Sequence, residues 1–196
     1  FFDNGIKVIN AKGEKLEDSV AYLCEAYIDG NFEKLGVQGQ DLPLAERENI
    51  GTINDYSSGR NRYIAYLISI AVHSFKGLKI GLDTANGASW MIAKSVFDAL
   101  GANVYIVNNE PNGLNVNLNA GSTHIEHFKE YCKENHLDVG FAFDGDADRC
   151  IAIDENGNEV DGDKIIYLLA KKLKAEEKLN GDTVVTTIMS NSGLTK

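Results

Sequence analysis

The chain of 196 residues has 43% hydrophobic and 24% charged residues, the composition of an ordinary globular protein with room for one large domain or two small ones. Its formal net charge of −10, without a visible cationic stripe, argues against nucleic acid or an anionic membrane surface as the main partner. The most apolar stretch, 63–75, is shorter than a membrane span and carries Tyr63 and His73.

In chain order, the pattern opens on a strand through Ile9, turns at Ala11 to Gly13, and enters a helix over Leu16 to Ile28 that Gly30 ends. Residues 31–52, with Pro43, read as an irregular loop, and Asp55 to Phe75 as a longer helix with an apolar side. From Leu78 strands and helices alternate. Lys79 to Leu82 is a strand, Ala88 to Leu100 a helix closed by Gly101, and Val104 to Val107 a second strand. An Asn-rich loop covers 108–122. Thr123 and Glu126 have the spacing of a capping box for a helix over Ile125 to Asn135, and Val139 to Phe143 is the next strand. Cys150 to Ile153 returns, Asn156-Gly157 turns a hairpin, Lys164 to Leu173 is a helix and Thr183 to Met189 a last strand. This order implies an α/β fold, alternating strand and helix layers around a mainly parallel mixed sheet, with ligands beyond the carboxyl ends of the strands.

One such end carries the run Asp144-Gly145-Asp146-Ala147-Asp148-Arg149. Three carboxylates this close repel one another unless a hard cation collects them, and oxygen-only donors favour magnesium or calcium over zinc. Gly145 and Ala147 let the backbone curl so that alternate side chains converge. Arg149 adds a fixed, permanently charged fork beside the ion, suited to a phosphate that the metal also touches. Two blander readings compete. Asp144, Asp146, Asp148 and Glu155 match four ligand positions of a calcium helix-loop-helix, but Arg149 stands where that loop needs Gly and the flanks read as strands. A solvated acidic turn is the other. Cys24, Cys132 and Cys150 are far apart and odd in number, which suits reduced structural thiols and a cytoplasmic setting.

The acid run is similar to the magnesium loop of the α-D-phosphohexomutases. Asp3-Asn4-Gly5-Ile6-Lys7 resembles the residues just after the phosphoserine motif of that family, and Gly81-Leu82-Asp83-Thr84-Ala85-Asn86-Gly87-Ala88 the opening of its second domain. Pro111-Asn112-Gly113-Leu114-Asn115-Val116-Asn117, the later Gly121-Ser122-Thr123-His124, and 181–191 look most like the branch acting on phosphorylated glucosamine. The resemblance implies a second domain at 76–158, flanked by the end of a first (1–75) and the start of a third (159–196). It also implies magnesium held by Asp144, Asp146 and Asp148, a phosphate held by Arg149, and Lys7 near the reacting oxygens.

The implied activity is interconversion of glucosamine 6-phosphate and glucosamine 1-phosphate through a phosphoserine, with a phosphorylated amino sugar and further domains of the same polypeptide as partners. That serine would lie upstream of Phe1 and the sugar-recognition and phosphate-gripping parts beyond Lys196, so the isolated chain is expected to be inactive. Alternatives are a phosphomannomutase or phosphoglucomutase of the same family, or a non-catalytic metal-binding module. His124 reads as a helix-start surface residue, and Asn86-Gly87 as a helix-opening turn rather than an anion-binding one. Apolar faces at Phe1-Phe2 and Val185 to Met189 are expected to need further segments to cover them.

Overall fold

The computed structural model describes residues 7–36, 45–52 and 54–194. The expected opening strand up to Ile6, the Phe1-Phe2 face and Pro43 lie outside these residues. The chain divides into two compact units, 2–55 and 56–196.

The N-terminal unit is built on helix α1 (Asp18–Ile28). Gly30, at φ +70°, ends it as expected. The Asn31 amide reaches back to the Ala26 carbonyl (2.7 Å) and the Gly30 amide to Tyr27 (3.0 Å), which satisfies carbonyls the helix leaves open. Upstream, the pairing expected of a strand at 7–9 amounts, among the described residues, to one bridge, Ile9 to Lys15.

The larger unit begins with α2 (Ser57–Ile70), shorter at both ends than the sequence pattern suggests. It then lays down β1 (Lys79–Asp83), α3 (Ala93–Ala99), β2 (Asn103–Val107), α4 (Glu126–Glu134), β3 (Val139–Phe143), β4 (Cys150–Ile153), β5 (Glu159–Val160) and α5 (Gly162–Ala175). The sheet order is β2-β1-β3-β4-β5. β1 runs parallel to both neighbours, and β4 and β5 return antiparallel. The fold is therefore mixed α/β, as expected.

Because β2 and β3 lie on opposite sides of β1, crossovers of one hand must put α3 and α4 on opposite faces of the sheet. The side chains agree. Ile80 and Leu82 join Ala93 and Phe97 on one face, while Phe128, Cys132 and Leu137 cover Ala142 on the other. The carboxyl ends of β1 and β3 lie side by side where the winding reverses, which is where open α/β sheets place their ligands.

Three local expectations are corrected. Regular helix begins at Ala93, not Ala88. The Ala88 amide instead donates to the Gly145 carbonyl (2.8 Å), which ties the segment to the acid loop. The capping box does not form: Thr123 sits in a 3-10 turn, α4 opens at Glu126 without a side-chain cap, and Glu126 pairs with Lys129 (3.0 Å). Residues 183–187 carry no regular secondary structure and pair with no strand among the described residues, since the sheet ends at β5. Val185, Ile188 and Met189 are each more than 85% exposed. No helix of the described residues is long and apolar enough to cross a membrane.

Candidate metal centre

The acid run is the hairpin loop between β3 and β4, paired in register from Phe143 opposite Cys150 to Gly140 opposite Ile153. Strands on both flanks remove the calcium helix-loop-helix reading. Asp144 is 3% exposed. Its Oδ1 accepts the Arg149 amide (3.0 Å) and its Oδ2 the Arg149 Nε (3.0 Å), so one residue fastens both oxygens of the inner carboxylate. The Ala147 amide closes the turn on the Asp144 carbonyl (3.0 Å), with Ala147 itself left-handed at φ +60°. Asp146 and Asp148 are exposed, yet one oxygen from each of Asp144, Asp146 and Asp148 can be chosen so that all three lie within 4.8 Å of one another.

Three hard, anionic donors on one short loop fit a divalent magnesium-type cation. The Arg149 side chain is anchored through Nε, lies 3.7 Å from Asp148, and remains 74% exposed. It therefore offers the rest of its guanidinium to solvent beside the carboxylates. Lys7 is exposed and belongs to the N-terminal unit.

Backbone approaches shape the platform under this loop. A Cβ on Gly87 would come within 2.2 Å of the Gly145 oxygen, and one on Gly121 within 2.2 Å of the Phe143 oxygen. Either position admits only glycine without a backbone shift. The Asn86 and Gly87 amides donate to the Asn108 (2.6 Å) and Thr84 (2.8 Å) carbonyls, so neither is left for an anion. The Asn-rich loop closes the other side. The Asn117 amide donates to Ala85 (3.0 Å), and its side chain lies against Gly145.

Asp83 sits in a motif that the sequence displays, yet nothing in the pattern singled it out as a site residue. It is 1% exposed and accepts three hydrogen bonds. The available signal was an acidic residue closing an otherwise apolar strand. Of the cysteines, only Cys132 fills the core; Cys24 and Cys150 are exposed. Burial, with the Asp83 carboxylate nearby, pushes the Cys132 thiol up to about 11.

The sequence from 61 to 157 matches the family described as phosphoglucomutase/phosphomannomutase, alpha/beta/alpha domain II, and 161–196 matches its domain III. The chain belongs to the phosphoglucomutase/phosphomannomutase family. This phosphohexomutase chain is 54% identical over 196 residues to the phosphoglucosamine mutase of Lachnospira eligens and 55% identical to that of Lachnoclostridium phytofermentans. In both cases all of the chain aligns, and it spans 42% of the relative's length. A solved phosphoglucomutase/phosphomannomutase family protein from Burkholderia thailandensis shares the fold, with a TM-score of 0.53 at 22% identity over 60% of this chain and 26% of that one.

Proposed function

We propose that the chain is the central part of a phosphoglucosamine mutase, interconverting glucosamine 6-phosphate and glucosamine 1-phosphate with magnesium at the acid loop. The observation that carries this is the convergence of the Asp144, Asp146 and Asp148 oxygens at the carboxyl end of β3, in a chain alignable from end to end with relatives of that name. Asp144, Asp146 and Asp148 are the metal ligands. A magnesium ion held there would supply charge neutralisation for a phosphoryl group in transit. Arg149 holds a phosphate through its exposed guanidinium while its Nε keeps Asp144 in place. Lys7 binds phosphate or assists proton transfer at the reacting oxygens.

The serine that carries the phosphate, the sugar-recognition loop and the final phosphate grip belong to polypeptide beyond this chain. The domain division at 76–158, with a partial domain on each side, belongs to the same reading. The half-exposed Tyr167, Leu168 and Leu169 of α5 and the exposed Val185, Ile188 and Met189 suit surfaces that the remaining domains cover. The cytoplasm is the setting for such an enzyme, and its free thiols agree with that.

The deciding assay uses the longer protein with magnesium and a bisphosphorylated sugar primer, and compares glucosamine 1-phosphate with mannose 1-phosphate and glucose 1-phosphate. The expected result is strong preference for the amino sugar, with no turnover by the 196-residue chain alone. Preference for a neutral hexose would overturn the substrate and keep the metal loop. No activity on any of the three would favour a non-catalytic module.

A further inference from the structure

We propose that Asp83 is the positioning residue of the acid loop, a buried carboxylate that fastens the backbone segments on which that loop rests. The inference rests on the reading of the loop as a cation site. Asp83 closes β1 opposite Ala142, two residues before Asp144 on the neighbouring strand. No cation pairs with it among the described residues, although a polar side chain this deeply buried is costly unless it is hydrogen-bonded.

What it has instead are three donors from three segments. Its Oδ1 accepts the Ala85 amide (2.9 Å); its Oδ2 accepts the Asn108 side-chain amide (3.0 Å) and the Gly121 amide (2.9 Å). Only an acceptor on both arms meets all three, and an asparagine would set its NH2 against at least one donor.

Each segment leads to the acid loop. Ala85 and Asn86 are consecutive left-handed residues, both at φ +51°, a conformation that asparagine tolerates but that is strained for an alanine and needs neighbours to enforce it. The Asp83–Ala85 bond supplies that enforcement and delivers Gly87 against Gly145, where the Ala88 amide grips the Gly145 carbonyl. Gly121 is drawn against the carbonyl of Phe143, the residue before Asp144. Asn108 returns the grip, its carbonyl accepting the Thr84 hydroxyl (2.7 Å) and the Asn86 amide. The Asp83 carboxylate thus sets where Asp144, Asp146 and Asp148 present their oxygens without being one of the ligands.

The test compares the 196-residue chain with its Asp83→Asn variant by magnesium calorimetry and by amide hydrogen exchange over 144–149, with Phe128→Leu as a core control brought to the same melting temperature. Asp83→Asn is expected to weaken magnesium binding by about tenfold or more, the scale on which outer-sphere partners act. It should also speed exchange in the loop, while the control leaves both unchanged. Unchanged affinity and exchange in folded Asp83→Asn, or equal losses in Phe128→Leu, would overturn the proposal. Should the unsubstituted chain bind no magnesium, the cation reading fails by itself, and loop exchange alone then decides the positioning role. Where Asp83→Asn does not fold, Asn108→Ala, which deletes one of the three bonds, is judged on the same two readouts.

Discussion

Asp144 and Asp148 stand in opposite surroundings, 3% and 61% exposed by residue and by side chain respectively. The first is held at both oxygens by Arg149, and Asp146 and Asp148 reach it from the solvent side. An exposed carboxylate at the rim of such a cluster contributes ligand charge and little packing. Asp146→Asn is therefore expected to weaken magnesium binding by at least about tenfold, judged by what even outer-sphere changes cost, with the melting temperature nearly unchanged. Titration calorimetry beside a thermal melt checks it, and unchanged affinity would remove Asp146 from the ligand set. At this scale the carboxylates were legible because acidic residues repeat at a spacing that is unfavourable without an ion. The return of Arg149 onto Asp144 and the burial of Asp83 were not, since both depend on where β3 turns and what β1 lies beside.

Among the described residues, α1, α3, α4 and α5 end by a shared device, whereas α2 stops on Ala71 in extended conformation. Gly30 and Gly101, readable as terminators, take positive φ after α1 and α3. His136 and Glu177 do the same after α4 and α5 at φ +52° and +56°, positions that side-chain type does not announce. In each case the next residue's amide also reaches back into the helix, as from Leu137 to Cys132 (3.0 Å) and from Lys178 to Leu173 (2.8 Å). Against the sheet, α4 approaches closely because β1 and β3 present Gly81 and Gly140 to it. A Cβ on Gly140 would lie 2.5 Å from Cys132 Sγ and 3.0 Å from the Phe128 ring. Gly140→Ala is expected to destabilise the fold by about 1–3 kcal/mol through overpacking. Cys132→Ala in the same chain should recover part of that loss, a coupling measurable by denaturant unfolding of the four-member cycle.

For the whole molecule, the buried Cys132 thiol links stability to alkaline pH. Its folded pKa of about 11 lies above its ordinary value of 9.0. The fold thus favours the neutral thiol, an advantage fully present below about pH 9 and lost progressively as pH rises towards about 11. The denaturant midpoint is expected to fall between about pH 9 and about pH 11, and to fall less in Cys132→Ala; equal slopes would assign the loss to other groups. The chain folds as two units, and its sheet stops at the two-residue β5. Among the described residues, that leaves 183–187 without a strand partner and α5 with leucines in solvent. An apolar run becomes a strand only when a neighbouring edge accepts its amides and carbonyls, so the β-like composition of 183–189 was not enough.

By itself the sequence determined the alternation of strands and helices, two of the four helix stops with left-handed residues, and the identity of the clustered carboxylates. These rest on periodicity, on backbone freedom and on charge repulsion, all of which act between residues near in the chain. Tertiary structure alone decided that α3 begins late, that Gly87 and Gly121 press on the acid loop, and that Asp83 ties the segments bearing Ala85, Asn108 and Gly121 together. Those features depend on β1 and β3 becoming neighbours across more than fifty residues of chain, a pairing set by burial of both sheet faces.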